Sequence, residues 1–285
     1  MPAIINTNIA SLNAQRNTTQ SQSALAVSMQ RLSSGLRVNS AKDDSAGLAI
    51  AERMQAQVRG MNVAVRNSND GISLAQTAEG ALGKVSDSLQ RMRELAVQAR
   101  NATNTTADKT SLDKEFGELA KEIQRVLGGT TFNGKTVLAT DAGTQTFQVG
   151  ANTSSNDQVD VQTTNMTTNS DITTVAGTDN QGAGRADLTG DATAIATVIN
   201  NIDTAINTVN GERATLGASQ NRFEAVIANL QVSVENQSAA RSRIMDADFA
   251  METANLSRSQ ILQQAGNAMI AQANQIPQQV LSLLR

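Results

Sequence analysis

The sequence predicts a mainly α fold: long coiled-coil helices, the N- and C-termini paired, and a small β-hairpin region in the middle. Three observations carry this. Apolar residues recur with alternating steps of three and four over several separate segments, the heptad pattern of helices that pack along a seam. Proline stands only at Pro2 and Pro277, so 274 consecutive residues lack that helix breaker. Trp, Tyr, Cys and His are absent and only five Phe are present. Aromatic anchors that dominate ordinary cores are missing, and packing must come from Ile, Leu, Val, Met and Ala.

The same composition excludes several functions. Residues 1–42 hold Arg16, Arg31, Arg37 and Lys42 and no acid, so they carry +4; against a total of −3, the remainder carries −7. That balance gives no basic surface for nucleic acid. Without Cys there is no disulfide framework, thiolate catalysis or Cys metal site. Without His there is no HExxH zinc helix. No catalytic residue, cofactor or metal is expected. Asp43-Asp44 is a carboxylate pair, but it sits at an expected helix start, where acids complement the dipole. No run approaches the ~20 apolar residues of a membrane span, so no membrane partner is expected. The first 20 residues lack the apolar core of a cleaved Sec signal. The Ser-rich, Arg-bearing, acid-poor character of the N-terminal segment 1–42 is shared with transit peptides, and equally with any basic segment whose acidic partners lie elsewhere.

The N-terminal segment opens a seam at Ile5, Ile9 and Leu12 and continues it at Leu25, Met29, Leu32 and Leu36. Its polar face is Asn, Gln, Ser and Thr rather than charge. A solvated helix normally carries charge opposite its apolar stripe, whereas an amide-rich face costs less to desolvate. This is the surface of a helix packed on several sides.

A second helix follows. Ala51, Met54, Val58, Met61, Val65, Ser68, Ile72 and Ala75 alternate by three and four, and after one slipped step Ala78, Leu82, Val85, Leu89, Met92, Ala96 and Ala99 resume. Ser40 and Asp43 have capping-box spacing for its start. Such a helix spans about 75 Å at ~1.5 Å per residue. Gly60, Gly71, Gly80 and Gly83 each cost roughly 1 kcal/mol against Ala, and Asn69-Asp70-Gly71 is the expected weak point. A third helix carries Leu112, Phe116, Leu119, Ile123 and Val126, with Thr110 and Asp113 spaced as a capping box and Gly128-Gly129 as its end.

From 131 to 176 the period changes. Asn133-Gly134 is a hairpin-turn signal, and Phe147/Val149 and Val159/Val161 alternate as in half-buried strands. Residues 177–190 are rich in Gly, Asp and Asn and predict an exposed loop. The seam returns, unbroken, at Ile195, Ile199, Ile202, Ile206, Val209, Arg213, Leu216, Gln220, Phe223, Ile227, Leu230 and Val234. A coiled coil explains this best; a long core helix in a bundle is the alternative.

The C-terminal segment carries Leu262, Ala265, Met269, Ala273, Ile276, Val280 and Leu283 at similar spacing, ending Leu281-Ser282-Leu283-Leu284-Arg285. Each end offers too few apolar side chains to offset the entropy of ordering its backbone alone. The ends are therefore expected to order on association.

Several ordered motifs carry a family resemblance. Ile4-Ile5-Asn6-Thr7-Asn8, Leu12-Asn13-Ala14-Gln15 and Arg31-Leu32-Ser33-Ser34-Gly35-Leu36-Arg37 resemble the start of bacterial flagellin. So do Asn39–Gly47, Asn67–Ser73, Gln90–Val97, Ala271–Gln278 and Leu281–Arg285. The resemblance covers about residues 1–135 and 191–285. It implies a structural subunit, not an enzyme, that polymerises with itself into the flagellar filament for swimming motility. Residues 1–42 and 246–285 would form the inner-tube coiled-coil domain. Residues 43–176 and 191–245 would form the outer-tube helical domain with its β-hairpin, and 177–190 would replace the large outer domains of longer relatives. A hook–filament junction protein is the alternative.

The resemblance also implies partners. These are the flagellar export chaperone and type III export apparatus, the filament cap and the hook-associated proteins, with export to the extracellular filament without a cleaved Sec signal. Positions matching the stretch that toll-like receptor 5 reads are Arg91, Leu95 and Gln98, with Glu115 on the next helix. The C-terminal helix, through Leu262, Met269, Ile276, Val280, Leu281, Leu283 and Leu284, would serve the chaperone and cytosolic inflammasome sensors. Ile5, Ile9, Leu12, Leu25, Met29, Leu32 and Leu36 would serve self-assembly.

Overall fold

The computed structural model describes residues 7–283, with side chains described through residue 275. Among these residues the chain forms six α-helices and four short strands: α1 (Ile9–Ser34), α2 (Ser45–Ala99), α3 (Thr106–Gly129), β1 (Thr131–Phe132), β2 (Lys135–Thr136), β3 (Thr144–Gln148), β4 (Gln158–Gln162), α4 (Ser170–Ala176), α5 (Ala192–Met245) and α6 (Phe249–Leu283). The mainly α reading with a small hairpin region is the observed fold. The chain divides into two compact units, Met1–Gln57 with Glu235–Arg285, and Val58–Val234.

The first unit pairs α1 with α6. Asn8 caps α1, its side chain accepting from the Ser11 N–H, and Gly35 closes it in the left-handed region at φ 72°, where glycine carries no Cβ penalty. The helices run antiparallel: Asn8 Nδ2 donates to the Ala273 carbonyl at 2.8 Å, Ser11 Oγ to Asn274 Oδ1 at 2.9 Å, and Arg31 lies 3.8 Å from Glu252. The chain segments beyond the two helices are clasped by backbone bonds. Arg37 and Val38 N–H both donate to the Met245 carbonyl, and Ala247 N–H donates to the Gly35 carbonyl. Val38, Ala51 and Met245 form the small apolar cluster beside this clasp.

The expected cap of the second helix moves from Ser40 to Asp44. Asp43 accepts from the N–H of Asn39 and Ser40 and from Ser40 Oγ, closing a turn ahead of the helix. Asp44 instead accepts from the Gly47 N–H at 2.8 Å. The cap of α3 also moves. Thr105 and Asp108 make the reciprocal box, and Asp113 is turned to another use.

In the second unit the heptad positions are the core. Leu82, Leu89, Met92, Phe116, Ile123, Leu127, Ile202, Leu216 and Phe223 are fully buried. Within this unit α2 and α5 run antiparallel, for Gly71 meets Phe223 while Arg93 reaches Asp203 at 2.6 Å. Arg213 and Gln220, both in the predicted seam, make a polar layer there: Gln220 Nε2 donates to Glu79 at 3.0 Å and Arg213 lies 3.7 Å from it. The expected weak point at Asn69-Asp70-Gly71 is unbroken helix. A Cβ on Gly71 would lie 2.6 Å from Phe223 Cζ, so the glycine admits a ring rather than bending the helix.

Asn133 and Gly134, at φ 49° and 80°, make the two-residue turn joining β1 to β2, as their sequence indicated. In the second hairpin Phe147 opposes Val159, and Val159 and Val161 are buried as the alternation required. Helix α4 was not anticipated. It is short and Thr-rich, but Asn169 caps it and Ile172, Val175 and Ala176 are buried. The 177–190 segment has no helix or strand and is largely exposed, yet it is fastened at three points. Arg185 pairs with Asp113 at 2.6 Å, Leu188 is fully buried, and Lys109 Nζ donates to the Gly190 carbonyl at 3.0 Å.

Candidate assembly surface and recognition residues

Amphipathic logic would place the leucines and isoleucines of α1 and α6 against each other. The structure reverses this. The buried residues of α1 are Ser11, Thr18 and Ser28, and those facing them on α6 are Glu252, Ser259 and Ala273, with Gly266 at the same spacing. Glu252, Ser259, Gly266 and Ala273 stand seven apart, so a true heptad seam exists, built from small and polar side chains. At Gly266 a Cβ would run into Thr18 Oγ1, so the helices meet there at glycine-permitted distance.

The predicted apolar positions consequently face outward. Ile9, Leu12, Met29, Leu262 and Met269 are each between 51% and 64% exposed. Leu25, Leu32 and Leu36 are half-buried. The heptad reading missed Val27, Phe249, Met251 and Ile261, which are also exposed; their off-register positions were the available signal. Ile5 and Leu284 lie outside the described residues, as do the side chains of Ile276, Val280, Leu281 and Leu283. Beside this apolar surface, Val27, Arg31, Glu252, Asn255, Arg258 and Leu262 line an open groove of about 830 Å³. Glu252 is nearly buried and Arg31 is its counter-charge at 3.8 Å, the one ion pair between the acid-free N-terminal helix and α6 among the described residues.

The four recognition positions fall together on α2 and α3, with unequal exposure. Arg91 Nε donates to Glu115 Oε1 at 2.9 Å and Nη1 to Glu94 Oε2 at 2.9 Å. Donation to the carboxylates of Glu94 and then Glu115 holds the guanidinium above its ordinary pKa. Gln98 is exposed, and its backbone carbonyl accepts from Asn104 Nδ2 at 2.6 Å. Leu95 is only 1% exposed. It is a core residue that seats α2, so a partner approaching this face meets Arg91, Glu94, Gln98 and Glu115 rather than the leucine. Gln90, Arg93, Glu94, Val97 and Gln98 line a shallow, solvent-open depression on the same helix.

Asp113 and Arg185 form a more buried ion pair in the same unit. Burial pushes the Asp113 carboxyl up, but hydrogen bonds from Arg185 and the Leu188 N–H outweigh it, and the net displacement is downward. The Arg185 guanidinium lies over Gly117, whose missing side chain leaves it room. No group of three His, Cys, Asp or Glu among the described residues is arranged to hold a metal, and no described helix is long and apolar enough to cross a membrane.

Paired terminal helices, an apolar surface left on them and heptad-packed long helices are the features of a structural helical protein. Comparison with known proteins agrees. Residues 5–143 match the bacterial flagellin N-terminal helical region and residues 199–284 the bacterial flagellin C-terminal helical region. A flagellin of Halalkalibacterium halodurans is 46% identical, over 99% of this chain and 100% of that protein. One of Bacillus subtilis is 42% identical, over 99% of each. The crystal structure of Bacillus cereus flagellin is 35% identical and covers 62% of this chain and 94% of its own, with a TM-score of 0.49. The chain belongs to the bacterial flagellin family.

Proposed function

We propose that this chain is the subunit of an extracellular flagellar filament and polymerises with copies of itself through α1 and α6. One observation carries the reading. The apolar side chains of these helices are left outside a pair whose inside is small and polar. Large apolar side chains exposed in number along both helices mark an association site, and a second copy offers the same uncharged, amide-rich face to cover them. Copies related by a rotation that does not close would extend as a helical polymer. In the free monomer the pair is expected to be weakly ordered, because so little apolar area is buried between its helices.

The test is seeded polymerisation. Leu12→Asp or Met269→Asp is expected to abolish growth while leaving the helix content of the dilute monomer unchanged, since both positions point away from the α1–α6 seam. Filaments formed at the wild-type rate would refute the assignment. Chains lacking 1–42 or 246–285 should likewise fail to grow.

The family supports finer readings. The chain would be exported unfolded without a cleaved Sec signal, escorted by a chaperone that grips the apolar face of α6 in helix-in-groove fashion. The filament cap and the hook-associated proteins would be its axial neighbours. Toll-like receptor 5 would engage the α2–α3 face through Arg91, Gln98 and Glu115, with Leu95 holding that face in place. The ion-paired, exposed Arg91 favours this reading. An Arg91→Ala monomer is expected to lose most receptor signalling; unchanged signalling would remove Arg91 from the contact.

A further inference from the structure

The chain contains two Asn-Gly dipeptides, Asn133-Gly134 and Asn210-Gly211, and the fold puts them in opposite chemical situations. We propose that Asn133 is a site of spontaneous succinimide formation and isoaspartate accumulation, and that Asn210 is protected.

The reaction needs the backbone nitrogen of the following residue to attack the asparagine amide carbon. The Gly134 nitrogen, having lost its proton, bonds to Asn133 Cγ. The Cγ–Nδ2 bond breaks and ammonia leaves, carrying the proton. Water then opens the five-membered ring at either carbonyl, giving aspartate or isoaspartate. No oxidant or reductant takes part. A following glycine leaves the nitrogen sterically open, and both dipeptides have that.

They differ in what holds the nucleophile. Asn133 and Gly134 are exposed, both in the left-handed region at φ 49° and 80°. Among the described residues the Asn133 side chain makes no hydrogen bond, the Gly134 N–H donates to no backbone carbonyl, and nothing lies within 4 Å of the space beside Gly134. A non-glycine residue in this region is held there at a cost, so the turn has little resisting its rearrangement. Asn210 is also exposed, but it lies inside α5. There the Gly211 N–H is committed to an i→i−4 helical bond, and attack requires the helix to open locally.

The product has a structural consequence. Isoaspartate inserts one extra carbon into the backbone of a two-residue turn. The register Thr131↔Thr136 and Phe132↔Lys135 depends on that turn's length. The next residues, Val137, Leu138 and Ala139, are buried, and the Leu138 carbonyl accepts from the Met166 N–H at 2.8 Å. The modification is thus expected to unpair β1 from β2 and strain the core contact behind it.

The experiment incubates the full-length monomer at mildly alkaline pH and 37 °C-type conditions. Isoaspartate is followed by enzymatic methyl labelling and peptide mapping, with a urea-unfolded sample in parallel. In the folded chain, label at residue 133 is expected to exceed that at 210 by at least about tenfold, while the unfolded chain labels both comparably. Asn133→Gln should remove the labelled peptide, and Gly134→Ala should slow it with the fold retained by circular dichroism. Equal labelling of both sites in the folded chain would overturn the proposal. So would an unlabelled Asn133 in the folded chain beside a labelled one in urea, because the turn would then be the protecting element.

Discussion

Gly71 in α2 lets two opposing effects be separated. Replacing an exposed helical glycine by alanine should stabilise by roughly 0.8–1.0 kcal/mol, because glycine loses more backbone entropy on folding. At Gly80 and Gly83 of the same helix a new Cβ meets nothing within 4 Å, so Gly80→Ala and Gly83→Ala should show that gain in full. At Gly71 the Cβ would fall 2.6 Å from Phe223 Cζ, 2.9 Å from Cε2 and 3.1 Å from Cε1. The ring cannot simply withdraw, since it is fully buried and Phe147 stands edge-on to it at 5.6 Å. Overpacking of this kind costs about 1–3 kcal/mol, which exceeds the propensity gain. Gly71→Ala should therefore be neutral to about 2 kcal/mol destabilising, and about 1–3 kcal/mol worse than Gly80→Ala. Urea unfolding of the monomer followed by far-ultraviolet circular dichroism measures this as a shift in midpoint at constant slope. Phe223→Leu should cost less in the Gly71→Ala background than alone, a favourable coupling in the double-mutant cycle. A Gly71→Ala monomer as stable as Gly80→Ala would refute the claim that the glycine is there to admit the ring.

Three further outcomes follow from the ion pair and the terminal seam. Arg185→Ala should destabilise the 177–190 segment by about 1–3 kcal/mol, because it leaves Asp113 half-buried and unpaired; limited proteolysis should then cut within 177–190 first. The same pair sets a pH dependence. The folded Asp113 carboxyl lies below its ordinary value of 3.8, so its stabilisation is complete above that pH and is lost as pH falls through the lower folded value. Asp113→Asn should flatten that acid limb, and an unchanged limb would remove Asp113 from it. In the terminal pair, Gly266→Ala should speed hydrogen exchange across α1 and α6, and Thr18→Ala should restore protection by removing the atom that the new Cβ meets; no rescue would place the defect elsewhere.

How far the sequence could be read depended on which force sets each element. The long helices were legible because burial of Leu82, Leu89, Ile202 and Phe223 follows heptad spacing, and period is what the sequence displays. The Asn133-Gly134 turn was legible because positive φ at both residues restricts the chemistry to few dipeptides. Caps were less so. Ser40/Asp43 and Thr110/Asp113 both had the right spacing, yet Asp44 and Thr105 were used, because many short polar residues compete within one turn of each helix start. Helix α4 was hidden by Ser170, Thr173 and Thr174 around Ile172 and Val175, whose burial is a tertiary effect. The pinning of 177–190 was invisible for a similar reason: Arg185 and Asp113 lie 72 residues apart, Arg185 lies in no motif, and the spacing of Asp113 pointed to a helix cap instead. The recognition positions were legible as neighbours on α2, but their exposure was not. Leu95 shares a face with Arg91 by spacing alone, and only packing shows that it turns inward.

The inverted polarity of α1 and α6 bears on how such a subunit can be both monomer and polymer. A pair that buried its leucines internally would be stable alone and would present a polar exterior, with little reason to associate. Here the internal seam consists of Ser11, Thr18, Ser28, Ser259, Gly266 and Ala273, whose burial removes little apolar area from water. Stabilisation by burial scales with that area, at about 25 cal/mol per Å², so the isolated pair gains little. The large side chains at Ile9, Leu12, Met29, Ile261, Leu262 and Met269 keep most of theirs in reserve. In the proposed filament their burial would come from neighbouring chains, which would make association, rather than folding of the single chain, the step with the larger hydrophobic gain. The polar seam has a second role. Thr18 fits opposite Gly266 and Arg31 opposite Glu252, and a shift of one residue would break both matches at once. The small residues therefore fix the register of the pair while the apolar ones remain free to join it to others.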